Sequence, residues 1–417
     1  MRQLKLARVG LTLAALLTLL IAPEARALST EVKGWTLSLS GAVDGYLTTA
    51  FCDTSASPGV AGGIACQVGP GGETRSAIES GLLPSFLNLE VKTQNGDIEY
   101  GADIGFFSGL SSTDGGKRGF AATTMDLRKN FVFFGTKGFG TIKIGRDMGL
   151  FGSDAILNDM SLIGAGSGAA FPVGFGQTTF GRIGVGYIYV DWAPQIAYTS
   201  PDLSGAKVTV ALLQAWDTLN FSGTTTPSLQ GHKTPGVQAK VTYDLAGGVP
   251  AHLWAGGWWQ TAASLGGGNP VPVGESLTTT AFEVGATVTP VSGLQLMGYF
   301  YSGKGAGTTG VVFDAASWDG STVAARKSMG YIAQATYTIK SVKLGLSYGQ
   351  SSLDVASNEA AAANPLVKSN SSVIGGLYYS LVPGLTLTAE ATGTTSKSHA
   401  GSSISDTSVA LGSILFF

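Results

Sequence analysis

Charge is what this chain has least of. Only 12% of its 417 residues are Asp, Glu, Lys or Arg, about half of the ~25% found in ordinary soluble domains. The signs nearly cancel, with 25 bases against 27 acids, so the basic surface that a phosphate backbone requires is missing and nucleic acid is excluded as a partner. Histidine occurs three times, as His232, His252 and His399. None has a serine or acid partner at a spacing that reads as a nucleophile, base and orienting group, so the chain shows no machinery for an enzyme. Cysteine occurs twice, as Cys52 and Cys66. No histidine lies within thirty residues of either, which argues against a metal site and leaves no cofactor implied. Beyond the amino terminus there is no run of ~18 apolar residues. Glycine, by contrast, is abundant: 61 residues without a three-residue period, about twice the usual ~7%.

The amino terminus, MRQLKLARVG, carries Arg2, Lys5 and Arg8 ahead of an apolar run from Leu11 to Ala22. PEARA then supplies a small-x-small site at Ala25-Arg26-Ala27. This is the pattern of a secretory signal peptide over residues 1–27, cleaved before Leu28; a spanning helix would need ~20 apolar residues. The remaining domain, 28–417, keeps 21 bases and 26 acids. In an exported chain, two cysteines in the glycine-rich FCDTSASPGVAGGIACQVG favour a disulfide. The rival reading is two unpaired thiols.

Strand patterning fills the rest. TLSLSGAVDGYL from Thr36, FLNLEVKTQ from Phe86, TIKIGRD from Thr141, KVTVALLQAW from Lys207 and LTLTAEATG from Leu385 alternate in polarity, and glycine or threonine interrupts nearly every candidate helix. The connections alternate too. Short turns at 94–97, 136–140, 201–206, 244–250, 289–294, 338–341 and 381–385 are built from Gly, Pro, Asn and Asp. Long loops lie at 52–84, 108–125, 150–183, 217–235, 261–278, 304–326, 351–371 and 396–404. Seven turns and eight loops join sixteen strands. That alternation predicts an all-β, 16-stranded antiparallel transmembrane β-barrel with short periplasmic turns and long extracellular loops. Lipid then accepts only apolar side chains on one face of each strand, which accounts for the scarcity of charge. In the first strand Leu37, Leu39 and Val43 fall on the lipid face, and Ser38, Ser40, Ala42, Asp44 and Tyr46 on the lumen face. In the last strand Val409, Leu411, Leu415 and Phe417 face lipid, while Ile414 and Phe416 are apolar where polar lumen residues are expected.

Three motifs, in this order, resemble the general bacterial porins of Gram-negative outer membranes. RKNFVFFGTKGFGTIKIGRDMG (128–149) resembles that family's hairpin ending in Gly-Arg. LFGSDAILNDMSLIGAG (150–166) resembles its third loop, which folds into the barrel and narrows it, and FGRIGVGYIY (180–189) resembles the segment that follows. The resemblance implies a homotrimer among outer-membrane lipid, with a terminal aromatic, here Phe417, read by the barrel-assembly machinery. It carries the family's basic wall onto Arg128 and Arg182, and its acidic loop residue onto Asp159. Asp154 stands in for a second acid that would fall near the apolar Ile163. Arg146 either lines the constriction or anchors the loop by pairing with Asp147 or Asp154. Asp44, Glu90 and Lys143 are further lumen candidates, either wet bystanders or solute contacts.

Acids facing bases across a narrow pore order water and admit dipolar solutes, whereas a ring of one sign selects ions. The implied function is a water-filled channel for passive diffusion of small hydrophilic solutes and ions. The alternative is a substrate-preferring channel on the same barrel, with Phe171, Phe175, Phe180, Trp254, Trp258 and Trp259 available as guides. The tryptophans also suit a lipid-facing aromatic girdle. A plugged, non-conducting barrel is the remaining option.

Overall fold

The computed structural model describes residues 27–55, 58–67, 74–110, 125–167, 178–266 and 270–417. The expected signal peptide up to Arg26, and Phe171 and Phe175, lie outside these. Twenty strands follow in chain order: β1 (Leu28–Val32), β2 (Trp35–Phe51), β3 (Thr74–Glu79), β4 (Ser85–Asn95), β5 (Ile98–Ser108), β6 (Met125–Thr136), β7 (Gly140–Met148), β8 (Trp192–Thr199), β9 (Ala206–Leu213) and β10 (Gly236–Leu245), then β11 (Ala251–Ala263), β12 (Ser276–Val291), β13 (Leu294–Lys304), β14 (Ala316–Trp318), β15 (Val323–Ala325), β16 (Lys327–Ile339), β17 (Val342–Leu353), β18 (Val367–Val382), β19 (Leu385–Ser398) and β20 (Ser403–Phe416). β14 and β15 form a small hairpin of their own, and the other eighteen form one closed antiparallel sheet.

These eighteen make sixteen staves, because two staves are composite. β2 pairs with β4 through Thr36–Ala42 and with β3 through Tyr46–Phe51, so β3 and β4 are one stave interrupted at residues 80–84. On its other edge β2 pairs with β20 through Ala42–Phe51 and with β1 through Trp35–Leu39. Within the described residues the turns and loops fall where composition placed them, with three differences, one being the β14–β15 hairpin inside the loop at 304–326. Part of the first loop is strand β3. The third loop runs on to Asp191 rather than ending at 183, because Gly181, Gly184 and Gly186 take positive φ values of 52°, 73° and 151° and break the alternation.

Alternation builds the wall as expected. In β2, Val43 is 56% and Leu47 50% exposed on the outer face, whereas Asp44, Tyr46 and Thr48 are buried toward the inside. At the seam, Gly41 and Phe417 exchange backbone hydrogen bonds of 2.9 and 3.0 Å. Gly41 is required there: a Cβ would come within 2.7 Å of the Phe417 ring. Ile414 and Phe416 meet no polar lumen, since they join the apolar cluster beneath the third loop. Cys52 and Cys66 form a disulfide with Cα atoms 4.8 Å apart, which closes part of the first loop.

Candidate functional site

The third loop, residues 149–191, begins with α1 (Ser153–Asn158) and a 3-10 turn at Met160–Ile163. Its backbone N–H groups, which no ladder satisfies, donate to inward-facing side chains from four separated strands. Gln238 Oε1 of β10 accepts from Leu150 N (2.6 Å) and Phe151 N (3.1 Å). Glu283 of β12 accepts from Gly152 N at 2.8 Å, and Gln334 of β16 accepts from Met160 N at 2.9 Å. Glu390 of β19 accepts from Ala165 N and Gly166 N, both at 2.7 Å. The interrupted stave supplies the last hold: Leu82 N donates to Gly164 O at 2.9 Å and Leu83 N to Leu162 O at 3.2 Å. Sequence reading missed these four side chains. Their signal was a polar residue at lumen parity in an apolar strand, as in AFEVGA and LTAEAT, since a carboxylate there is costly unless it finds donors.

The loop thus clothes the interior from β10 round to the interrupted stave and leaves β4–β7 bare. That wall carries a ladder of paired charges. Glu90 and Lys92 pair at 3.1 Å, Lys129 and Asp103 at 3.7 Å, Arg128 and Asp126 at 3.0 Å, and Lys143 pairs with Asp147. Arg146 lies 3.9 Å from Asp126. Pairing slips between Gly105–Lys129 and Phe106–Leu127, leaving Arg128 as a bulge residue. The bulge switches the inward parity from Lys129, Phe131 and Phe133 to Asp126 and Arg128, so two adjacent bases both enter the lumen.

The remaining sequence candidates sit elsewhere. Asp154 is 1% exposed and pairs with Lys240 at 2.6 Å and His252 at 3.3 Å. Burial alone would raise its pKa, but those two bases outweigh burial and hold the carboxyl well below the usual range. Asp159, 4% exposed, caps Ser161 N at 2.9 Å and accepts from Tyr187 Oη at 2.8 Å. Arg182, fully buried, donates to the Ser372 carbonyl at 2.7 Å and hydroxyl at 2.9 Å. Asp44 accepts from Ser85 Oγ and Gly81 N, both at 2.7 Å, and so repairs the interruption between β3 and β4. Arg146 meets Asp126 instead of Asp147 or Asp154. Arg128 is also packed over the rings of Phe107 and Trp192, at 5.1 and 6.0 Å. Of the three tryptophans, Trp259 faces outward, whereas Trp254 and Trp258 are buried behind the loop, the latter beside Phe151 and Trp216.

A closed barrel of sixteen staves, short turns at one rim and a third loop laid inside it define the porin class of outer-membrane channel. Residues 12–399 match the profile of the Gram-negative porins, and the chain belongs to that family. It is an outer-membrane porin. Solved structures of the same fold include the outer membrane channel DcaP of Acinetobacter baumannii, with TM-score 0.67 and 16% identity over 94% of this chain and 100% of that one. The anion-selective porin of Comamonas acidovorans gives 0.57 and 15% over 92% and 100%. The trimer form of OmpT from Vibrio cholerae gives 0.53 and 13% over 92% and 100%. No curated protein matches the sequence closely.

Proposed function

We propose that small hydrophilic solutes and ions diffuse through this porin along the β4–β7 wall, squeezed against it by the third loop, with no catalytic step and no cofactor. The carrying observation is the composition of that bare wall, where Arg128, Arg146, Lys92, Lys129 and Lys143 stand against Glu90, Asp103, Asp126 and Asp147 in pairs 4 Å apart or less. A ladder of mixed sign offers dipolar solutes a succession of orienting fields and imposes no strong preference between cations and anions. In this reading Arg128, Arg146, Glu90 and Lys143 touch the path. Asp154, Asp159 and Arg182 act by holding the loop, and Asp44 by mending the wall. The family and fold further support an outer-membrane homotrimer; the Ala25-Arg26-Ala27 site supports export by a signal peptide cleaved before Leu28, and the apolar ending at Phe417 supports delivery to lipid by the assembly machinery.

Reversal potential under a salt gradient tests the assignment. Arg128→Gln with Arg146→Gln should shift it toward cations, and the shift should shrink in 1 M salt as the Debye length falls to ~3 Å. Asp154→Asn with Asp159→Asn should instead disturb conductance through a loosened loop, with no consistent change of selectivity. A large anion shift from the second pair, with none from the first, would show that the loop acids line the path.

A further inference from the structure

On the turn side of the third loop lies a second chamber, about 260 Å³, just under the ~300 Å³ at which ligand pockets usually begin. Its roof is the underside of the loop, mainly Leu157, Met160, Leu162 and Ile163 with Asp159 among them. Its walls carry Gln295 of β13, Thr336 and Thr338 of β16, and Lys343 of β17. Lys343 pairs across the sheet with Thr338 and Tyr378, next to the turn that joins β16 to β17. Every base of the β4–β7 ladder has a carboxylate within 4.0 Å. Lys343 differs: among the described residues no carboxylate is within 4.0 Å of it, its ammonium rests over the Tyr378 ring at 4.7 Å, and the two acids whose charge reaches it, Glu390 and Asp159, are already held by Ala165 N, Gly166 N and Tyr378 Oη and by Ser161 and Tyr187 respectively. The side chains of Gln295, Thr336 and Thr338 likewise make no hydrogen bond within the described protein, although Thr336 is buried.

Four uncommitted polar groups, one of them cationic, thus converge beneath a largely apolar roof. A lumen ammonium whose neighbouring carboxylates lie beyond ion-pair range and are spent on other donors keeps its own donors open to a further anion. We propose that this chamber is a binding subsite for small hydroxylated monocarboxylates, in which the carboxylate is held by Lys343, the hydroxyls by Gln295, Thr336 and Thr338, and the C–H face of the solute packs under Leu162 and Ile163. The subsite rests on the channel reading given above and adds a solute class to it. Because it lies on the turn side, it acts on solutes that have already passed the loop.

Gluconate is the probe. With the purified full-length protein in a planar bilayer in potassium chloride, gluconate added to one compartment at a time should reduce the current saturably, and more strongly from one side. Lys343→Gln should raise the half-blocking concentration by about tenfold or more, as expected for loss of a charge-assisted hydrogen bond. Lys343→Arg should stay within about twofold, and Gln295→Leu, which leaves the charge in place, should weaken block a few-fold. Equal block in wild type and Lys343→Gln, or no block of a conducting wild type, overturns the subsite while the channel stands. A wild-type protein that conducts nothing overturns the channel reading and the subsite with it.

Discussion

Gly164 has no room for even a methyl group, because a Cβ there would lie 2.1 Å from Glu390 Oε1. Glu390 cannot swing away freely, since it also accepts from Ala165 N, Gly166 N and Tyr378 Oη. Gly164→Ala should therefore release the loop at an overpacking cost of about 1–3 kcal/mol, while the strands, whose backbone ladders use none of these side-chain bonds, stay paired. Expected are wild-type heat-modifiable migration on a gel and faster proteolysis within 149–191; unchanged protease resistance would show that Glu390 yields without consequence. Nothing in the sequence marks Gly164 among 61 glycines. The lumen-facing candidates Glu90 and Lys143 follow from parity alone. Arg128 does not, because its direction depends on a bulge that shifts the frame by one residue. The burial of Asp154, Asp159 and Arg182 was equally invisible, as their partners Lys240, Tyr187 and Ser372 are brought in by the path of a loop.

At the scale of elements, connection length carried most of the fold, since turn chemistry is local and each turn is written in its own residues. Strand β3 and the late start of β8 were lost for the opposite reason: pairing with β2 overrides the glycine-rich surroundings of Thr74–Glu79, and positive-φ glycines override the alternation of GRIGVGYIY. The outer loops also bind one another. Arg326, between β15 and β16, donates through Nε to Glu359 Oε2 at 2.8 Å and through Nη2 to Oε1 at 2.5 Å. Its Nη1 reaches Thr226 Oγ1 at 3.0 Å, so three loops meet at one guanidinium. Burial would raise the Glu359 pKa, but the Arg326 hydrogen bonds outweigh it and bring the carboxyl to about 2, from 4.5. A depressed carboxylate pKa stabilises fully above its unfolded value and loses that contribution as pH falls through the folded one. Amide exchange of residues 354–366 should accordingly stay slow from neutral pH to about 4.5 and quicken, once corrected for intrinsic rates, between there and about 2. Glu359→Gln should be faster at neutral pH and lose this pH dependence. A variant as protected as wild type throughout would show that Arg326 does not hold the loop.

The whole molecule is closed by the pairing of β20 with β2, and without it both edges would present unpaired backbone to lipid. Deleting Phe417 removes its two hydrogen bonds to Gly41 and the ring that covers that glycine. The amount of heat-modifiable, folded barrel should fall, with the remainder aggregated rather than soluble; undiminished folding would make the ending incidental. That apolar ending and the strand count were legible because lipid imposes them on every outward residue. How the interior is filled was not, since lumen side chains answer to a loop far away in sequence. The loop's attachments also have a mechanical meaning. β10 and β19 carry the eighth and fifteenth of sixteen staves, almost a diameter apart. A ring joined only along its circumference flattens easily under lateral load, but one with a strut fixed to nearly opposite points does not. The cross-section of this channel is accordingly set from within, and lateral pressure or thickness of the surrounding bilayer has little purchase on it.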